Sequence, residues 1–370
     1  MTSTAVIFGG PSPENDVSIL TGLQALRVLH QVGGEAPLAL YWSKGGDFFQ
    51  IPPNLEAGAF VDGVPDGAEQ LRLQLGSGGG FRKRGGRLSG DKVLRAQAVV
   101  NCCHGGPGED GTLQAALDLA GIAYTGPTVT GAGLGMDKLA FGAVVAASGL
   151  PTLKRELMGE SSSLGFPGPY ILKPRFGGSS IGIEVVADEA TARARLRSNR
   201  HLQAGAVVEP YRSDLFDAQV AVRTWPHLQL SAIERPLRST TSAEFLGYLD
   251  KYVGGEGMVS APRELPARLP DSLVSAIRQA ALAVAVLAGI RGIARIDFLT
   301  DGEEELYVNE VNTIPGSLAR YLWVDPPVPF TQLMSDLVEE AIHSPTHRFS
   351  ASGADGTVLR SAGSIAAKLA

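Results

Sequence analysis

Two stretches of this chain read as a short buried strand that runs directly into a glycine-rich loop and then a helix. Residues 5–8 lead through Gly9-Gly10-Pro11-Ser12-Pro13 to a helix expected from Asp16 or Val17, where Ile19, Leu23 and Leu26 fall at helical spacing. Residues 98–102 lead through His104-Gly-Gly-Pro-Gly-Glu109-Asp110-Gly111 to a helix expected over 112–120, stopped by Gly121. Strands that feed helices in this way imply a parallel α/β sheet. Ligands of such sheets sit beyond the carboxyl ends of the strands, so both loops are candidates for one shared site. A helix N-terminus behind a glycine-rich turn also offers N–H groups to an anion or carboxylate. The G-x-G-x-x-G spacing of a dinucleotide fingerprint is absent from the first loop.

Near the other end lies a hairpin pattern. Residues 298–300 and 306–308 are strand-like, and Asp301-Gly302 supplies turn chemistry between them. Side chains alternate faces along a strand, so Arg295 shares a face with Asp297, and Glu310 with Asn312. Folding at the turn brings Asp297 close to Glu310. Hard oxygen donors gathered this way suit Mg²⁺, which takes carboxylates, water and substrate phosphates. A solvated acidic face would account for an isolated Asp and Glu. The arginine and the turn Asn312-Thr-Ile-Pro315-Gly316 that accompany them favour the metal.

Length and composition bound the rest. At 370 residues, 44% of them hydrophobic, the chain holds more than one domain and sizeable cores. A net charge of -6 argues against a polyanion-binding surface. The basic run Arg82-Lys83-Arg84 sits among glycines and reads as a solvated hairpin tip. Cys102 and Cys103 are adjacent, follow an apolar run and offer no disulfide framework, which fits a reducing compartment. No stretch resembles a signal peptide or a membrane span, so a cytoplasmic protein is expected.

The pattern changes near Met136. Asp137 is placed to cap a helix to Ser148, ended by Gly149 and Pro151. Strands are expected over 170–173 and 181–186, joined by Arg175-Phe-Gly177-Gly178-Ser179-Ser180. A loop so rich in backbone N–H groups and hydroxyls can fold over phosphates, with Lys173 at its base as a point charge. Alone, it reads equally as a glycine hairpin. A helix over 188–198, a strand over 206–209 and antiparallel strands over 218–222 and 228–234 follow. Residues 239–257 form a long polar-aromatic loop holding Tyr248, Asp250, Lys251 and Tyr252. A helix capped by Asp271 runs to Ala288, and a closing helix covers 330–342. From His343 the chain becomes a Ser/Gly/Ala-rich tail.

In this order the motifs resemble the D-alanine–D-alanine ligase family of the ATP-grasp superfamily. The resemblance runs from about Ala5 to Ile342 and rests on Gly9-Gly10 with Glu14-Asn-Asp16-Val-Ser18, His104-Gly with Gly108-Glu109-Asp110-Gly111-Thr112, Met136-Asp137-Lys138, Lys173-Pro174 with Gly178-Ser179-Ser180, Lys251-Tyr252, Arg295-Ile-Asp297, and Asn309 to Gly316. It implies an α/β ATP-grasp fold of three domains. An N-terminal parallel α/β substrate-binding domain (1–134) precedes a central (135–205) and a C-terminal (206–345) α+β unit that sandwich ATP, and a flexible tail (346–370) follows. The implied activity is ATP-dependent joining of two D-alanines through an acyl phosphate, for peptidoglycan precursors, by a homodimer without nucleic-acid or membrane partners.

The resemblance also implies roles. Lys138, Lys173, Ser179, Ser180, Glu209, Asp217 and Lys251 would hold ATP. Asp297, Glu310 and Asn312 would hold two Mg²⁺ ions, or Mn²⁺ in their place. Glu14 would bind the first substrate's ammonium, with Val17, Ser18, His104 and Glu109 beside it. Ser317 and Leu318 would meet the second substrate. Arg295 and the Gly316 N–H would stabilise an oxyanion, and Ser179 and Tyr252 would close two loops over the site. Three features bear on the substrate. Asn15 stands where the family usually has a basic residue, and the loop after Gly316 is several residues shorter than usual. Tyr252 favours an amine nucleophile over a hydroxyl. The first two motivate an alternative, a related carboxylate–amine ligase with another amino acid in one pocket. A non-catalytic nucleotide-binding protein is the third reading.

Overall fold

The computed structural model describes residues 3–33, 36–85, 90–159, 163–237, 262–344 and 350–369. The loop 239–257, with Lys251 and Tyr252, lies outside them. In the first unit, β1 (Ala5–Gly9) is buried along its whole length, and α1 (Asn15–Val32) follows. Next come β2 (Leu38–Trp42), β3 (Phe48–Ile51), β4 (Glu69–Gln74), β5 (Gly80–Lys83), β6 (Lys92–Val93), β7 (Val99–Asn101) and α2 (Thr112–Ala120). The sheet order is β6-β5-β4-β3-β2-β1-β7. Val6 and Phe8 face the α1 side, while Ala5 and Ile7 pack with Leu113 and Leu117 of α2. Gly22 lets α1 lie directly on the sheet, because a Cβ there would sit 2.3 Å from the Phe8 ring.

Among the described strands of this sheet, β2, β1 and β7 are mutually parallel. The expected parallel sheet is therefore one end of a mixed one, extended on the other side by an antiparallel meander through β6. These outer strands are short and largely half-exposed, so they carry little apolar periodicity for a sequence reading to detect. Arg82 and Lys83 belong to β5 and are not a hairpin tip; Lys83 pairs with Glu69 of β4.

The second unit opens with α3 (Val129–Met136), which the sequence reading missed, and α4 (Lys138–Ala147). Glycines at 131, 133 and 135 hide α3, yet Gly135 is needed for close packing: a Cβ would meet Thr313 at 2.8 Å. The Asp137 carboxylate accepts from the Leu139 and Ala140 N–H groups, a cap that contributes about 1 kcal/mol. β8 (Glu156–Leu157), β9 (Tyr170–Pro174), β10 (Glu184–Val186), α5 (Glu189–Ser198) and β11 (Ala206–Pro210) complete an antiparallel sheet of order β10-β9-β11-β8. The strand expected from 181 begins only at Glu184, because the glycine loop turns on through Gly182.

The third sheet runs β14-β13-β12-β15-β16 and contains β12 (Phe216–Arg223), β13 (Gln229–Pro236), β14 (Arg263–Glu264), β15 (Ile293–Thr300) and β16 (Leu306–Asn312). Helix α6 (Asp271–Leu287) lays Leu273, Ile277, Ala281 and Val284 against Val220, Val222 and Phe298. Asp271 does not cap it: Pro270 holds the cap position, and Asp271 is already helical, where its charge meets the positive end of the helix dipole. Helix α7 (Phe330–His343) returns to the first unit, where Leu333, Met334 and Leu337 share a core with Leu23, Leu26 and Val100. Residues 350–369 include two short helical segments without buried side chains. Among the described residues no helix is long and apolar enough to cross a membrane.

Candidate active site

Between the second and third sheets lies a cleft of about 820 Å³, open to solvent on one side. Leu153, Ile171, Ile183, Leu215 and Leu299 give it apolar walls, and Lys173, Ser180, Glu209, Asp217, Asp297 and Glu310 line it with charge and hydroxyl. Lys173 Nζ donates to Glu209 Oε2 at 2.8 Å and to Asn309 Oδ1 at 3.1 Å. Arg155 Nε lies 3.1 Å from the other Glu209 oxygen, and its Nη1 donates to the Lys138 carbonyl at 2.8 Å. Burial would raise the Glu209 pKa, but Lys173 and Arg155 outweigh it and hold the carboxyl below the usual range.

Register builds the acidic wall. Gln219, Asp297 and Glu310 stand opposite one another on β12, β15 and β16. A bulge follows, in which Phe298 pairs with Val308 and Asn309 is skipped. Asn309 and Glu310, which strict alternation would place on opposite faces, therefore both line the cleft. The Arg295 guanidinium grips Asp297 through two hydrogen bonds of 2.7 Å, and Asn312 and Gln219 donate to the same carboxylate at 3.2 and 3.3 Å. Among the described residues no group of three or more His, Cys, Asp or Glu could hold a metal by itself. Mg²⁺ does not require one, since it takes one or two carboxylates and completes its shell with water and substrate oxygens. Asp297 and Glu310, in register on the cleft wall, fit that donor set.

Glu310 also lines a second, polar pocket with Glu14, His104, Glu109, Ser179, Arg295, Asn312 and Gly316. Ser179 donates to Glu14 from a left-handed backbone (φ 53°), which Ser180 shares (φ 58°). Gly105 lets the His104 loop approach from the other side: its φ is 63°, and a Cβ would lie 2.3 Å from Glu14 Oε2. Arg175 forms a two-bond pair with Asp137, at 2.9 and 2.6 Å, which ties the glycine loop to the start of α4. Lys138 Nζ reaches the Gly177 carbonyl and stands 3.7 Å from Glu310.

The turn carrying Gly316 is held by the first unit. His104 Nδ1 lies 2.6 Å from the Ile314 carbonyl, which can only accept, so Nδ1 carries the proton. His104 Nε2 lies 2.8 Å from Thr21 Oγ1, and the Ser317 N–H donates to that hydroxyl at 3.1 Å. Burial pushes the His104 pKa down to about 4, so the ring is neutral near pH 7. Glu109 accepts from the Ile314 N–H at 2.9 Å, from the Thr313 hydroxyl at 3.3 Å and from the Gly105 N–H at 2.9 Å. Burial first, and then the Glu14 charge, raise its pKa to about 7. Beyond Gly316, Ser317, Leu318 and Ala319 each have φ of 50°. For L-residues this left-handed form costs roughly 1–2 kcal/mol apiece.

The structure thus gathers Glu14, His104, Glu109, Lys138, Ser179, Arg295, Asn312 and Gly316 at the pocket, and Lys173, Ser180, Glu209, Asp217 and Asp297 at the cleft. Four expected substrate contacts are not on the pocket wall. Val17 is buried. The Ser18 hydroxyl accepts from the Gly9 N–H at 2.7 Å and donates to the Cys102 carbonyl at 2.8 Å, joining the ends of β1 and β7. Ser317 turns its N–H to Thr21, and Leu318 enters the core beside α7. Asn15 is buried and donates to the Gly10 carbonyl at 2.7 Å. Cys102 and Cys103 sit in the sheet cores with thiol pKa values raised by burial. Arg155, Asn309, Gln219 and Thr21 went unassigned from sequence. Of these, only Asn309 stood within a recognisable motif, and no pattern marked the others.

A family model described as the D-ala D-ala ligase N-terminus matches residues 3–127, and one described as the D-ala D-ala ligase C-terminus matches residues 133–339. The D-alanine–D-alanine ligase of Stutzerimonas stutzeri is 30% identical over 326 residues, covering 84% of each chain. That of Mycobacterium tuberculosis (strain CDC 1551 / Oshkosh) is 29% identical, covering 91% of this chain and 95% of its own. In structure, the D-alanyl-alanine synthetase A of Vibrio cholerae aligns with a TM-score of 0.76 at 20% identity over 92% of this chain and 98% of its own. The VanG D-Ala:D-Ser ligase of Enterococcus faecalis aligns at 0.72 with 23% identity over 92% and 99%. At such identities the alignments carry the fold, which is ATP-grasp. Two matched models spanning nearly the whole chain settle its membership: it belongs to the D-alanine–D-alanine ligase family.

Proposed function

We propose that this protein is an ATP-dependent carboxylate–amine ligase that joins two D-alanines for peptidoglycan precursor synthesis. The observation that carries the reading is the convergence of Glu14, Arg295 and Gly316 in one pocket that shares Glu310 with the cleft. ATP would occupy the cleft, with its base against Ile171 and Leu299 and its phosphates toward Lys138, Lys173 and the Ser179-Ser180 loop. Asp297, Glu310 and Asn312 would hold Mg²⁺, which neutralises charge on a transferring phosphoryl group when bound.

Glu14 anchors the donor's ammonium. The donor carboxylate attacks the γ-phosphorus and releases ADP, giving an acyl phosphate. The acceptor's amine then adds to the activated carbonyl, phosphate leaves, and the amine proton passes to solvent. The positive charge of Arg295 and the Gly316 N–H stabilise the oxyanion of that addition, a contribution of several kcal/mol in comparable sites. The contact between Ser179 and Glu14 draws the glycine loop over the pocket, which protects the acyl phosphate from water.

A different amino acid as acceptor is the second reading. It is favoured by the left-handed run Ser317–Ala319 where the second substrate is expected. ADP release measured with D- and L-amino acids, singly and in pairs, separates the two. Turnover with D-alanine alone supports the first reading, and turnover only with another amino acid or pair supports the second. Nucleotide binding without turnover on any pair would overturn both.

A further inference from the structure

The turn that carries Gly316 is tied to the first unit on both flanks. Before it, Ile314 is held by its N–H to Glu109 and by its carbonyl to His104. After it, the Ser317 N–H is held by Thr21. Thr21 is 1% exposed and stands two turns along α1, the helix that begins directly after Glu14. The hydrogen-bond directions in this chain are fixed by chemistry. The Ile314 carbonyl must accept, so His104 Nδ1 donates and Nε2 carries a lone pair. Nε2 can then only accept, so the Thr21 hydroxyl gives it its proton, and the same oxygen accepts from Ser317. A residue able to donate and accept at one atom is required at position 21.

We propose that Thr21 is a positioning residue for the oxyanion site: its hydroxyl, bridging His104 Nε2 and the Ser317 N–H, sets the orientation of the Gly316 N–H relative to Glu14. The proposal rests on the ligase reading above. Ser317 begins the run of three left-handed residues, so its N–H is the point at which that run is pinned. Through α1, one helix governs both ends of the reaction, with Glu14 at its start holding the donor and Thr21 holding the donor's oxyanion partner. Small misplacements of such groups cost large factors in rate, up to about a hundredfold for an ångström.

The test uses the full-length protein with ATP and the amino acids it turns over. Thr21→Val keeps the shape and removes both hydrogen bonds, while Thr21→Ser keeps the hydroxyl. The valine variant is expected to lower kcat by roughly tenfold to a hundredfold with KM for ATP within about twofold, and serine to recover most of the rate. Valine with normal kcat, or serine as impaired as valine, overturns the proposal. A wild-type protein inert on every amino-acid pair overturns the ligase reading itself. One measurement needs no variant: the ¹⁵N spectrum of His104 in the wild-type protein. A proton on Nδ1 and a lone pair on Nε2 support the relay, and the reverse tautomer contradicts it.

Discussion

Replacing Glu209 by Gln removes a carboxylate shared by two cations inside the cleft. Glu209 is 1% exposed, and Lys173 and Arg155 are also buried, at 2.8 and 3.1 Å from its two oxygens. Breaking a buried pair by deleting one partner costs about 3–5 kcal/mol, because an uncompensated charge is left behind. Two features pull the expectation to the lower end. Lys173 keeps Asn309 Oδ1 and Arg155 keeps the Lys138 carbonyl, and a glutamine oxygen can still accept one bond. We therefore expect a loss of about 3 kcal/mol in urea unfolding at pH 7, with weakened ATP binding. The pH dependence gives a second readout. The folded pKa lies below the unfolded value of 4.5, so the stabilisation is present above that value and is lost as pH falls through the folded one. The gap between wild type and variant should close in acid. A gap under 1 kcal/mol at pH 7, or one that does not narrow as pH falls below 4.5, would refute the assignment of Glu209 as the ionised centre of this triad.

Two other outcomes follow from the same geometry. Asp297→Asn or Glu310→Gln should cut turnover by roughly a hundredfold or more while circular dichroism stays that of the wild type, and near-normal rates would remove both from the metal site. Glu109 has a folded pKa raised to about 7, so its stabilising contribution is complete below 4.5 and disappears as pH rises through 7. Wild type should accordingly lose stability relative to Glu109→Gln across that window, by on the order of 3 kcal/mol at most; parallel stability curves would show that Glu109 ionises normally.

The helices with clean start and stop signals were legible: Thr112–Ala120 ends at Gly121, and Lys138–Ala147 begins on Asp137, both as the sequence reads. That the hairpin brings Asp297 close to Glu310 was legible too, although their direct pairing depends on the bulge at Asn309. What could not be read depends on distant packing. Helix α3 is hidden by glycines whose purpose, contact with Thr313 and with the Gly289 carbonyl, appears only in three dimensions. The role of Asn309 depends on a bulge that no local pattern announces. Ser18 looks like a pocket residue from its place beside Glu14, yet helical geometry turns its hydroxyl toward the ends of β1 and β7. Thr21, Arg155 and Gln219 act across long stretches of chain, and a buried hydrogen bond of that kind leaves no periodic trace.

In the proposed reaction a substrate carboxylate is activated by phosphoryl transfer in the pocket formed by Glu14, Arg295 and Gly316. Supplying the protein with ATP, Mg²⁺ and D-alanine whose carboxylate oxygens are ¹⁸O tests it most directly. An acyl phosphate carries one donor oxygen into the phosphate it releases, so each inorganic phosphate should contain one labelled atom for each dipeptide formed. Dipeptide accompanied by unlabelled phosphate would contradict the account.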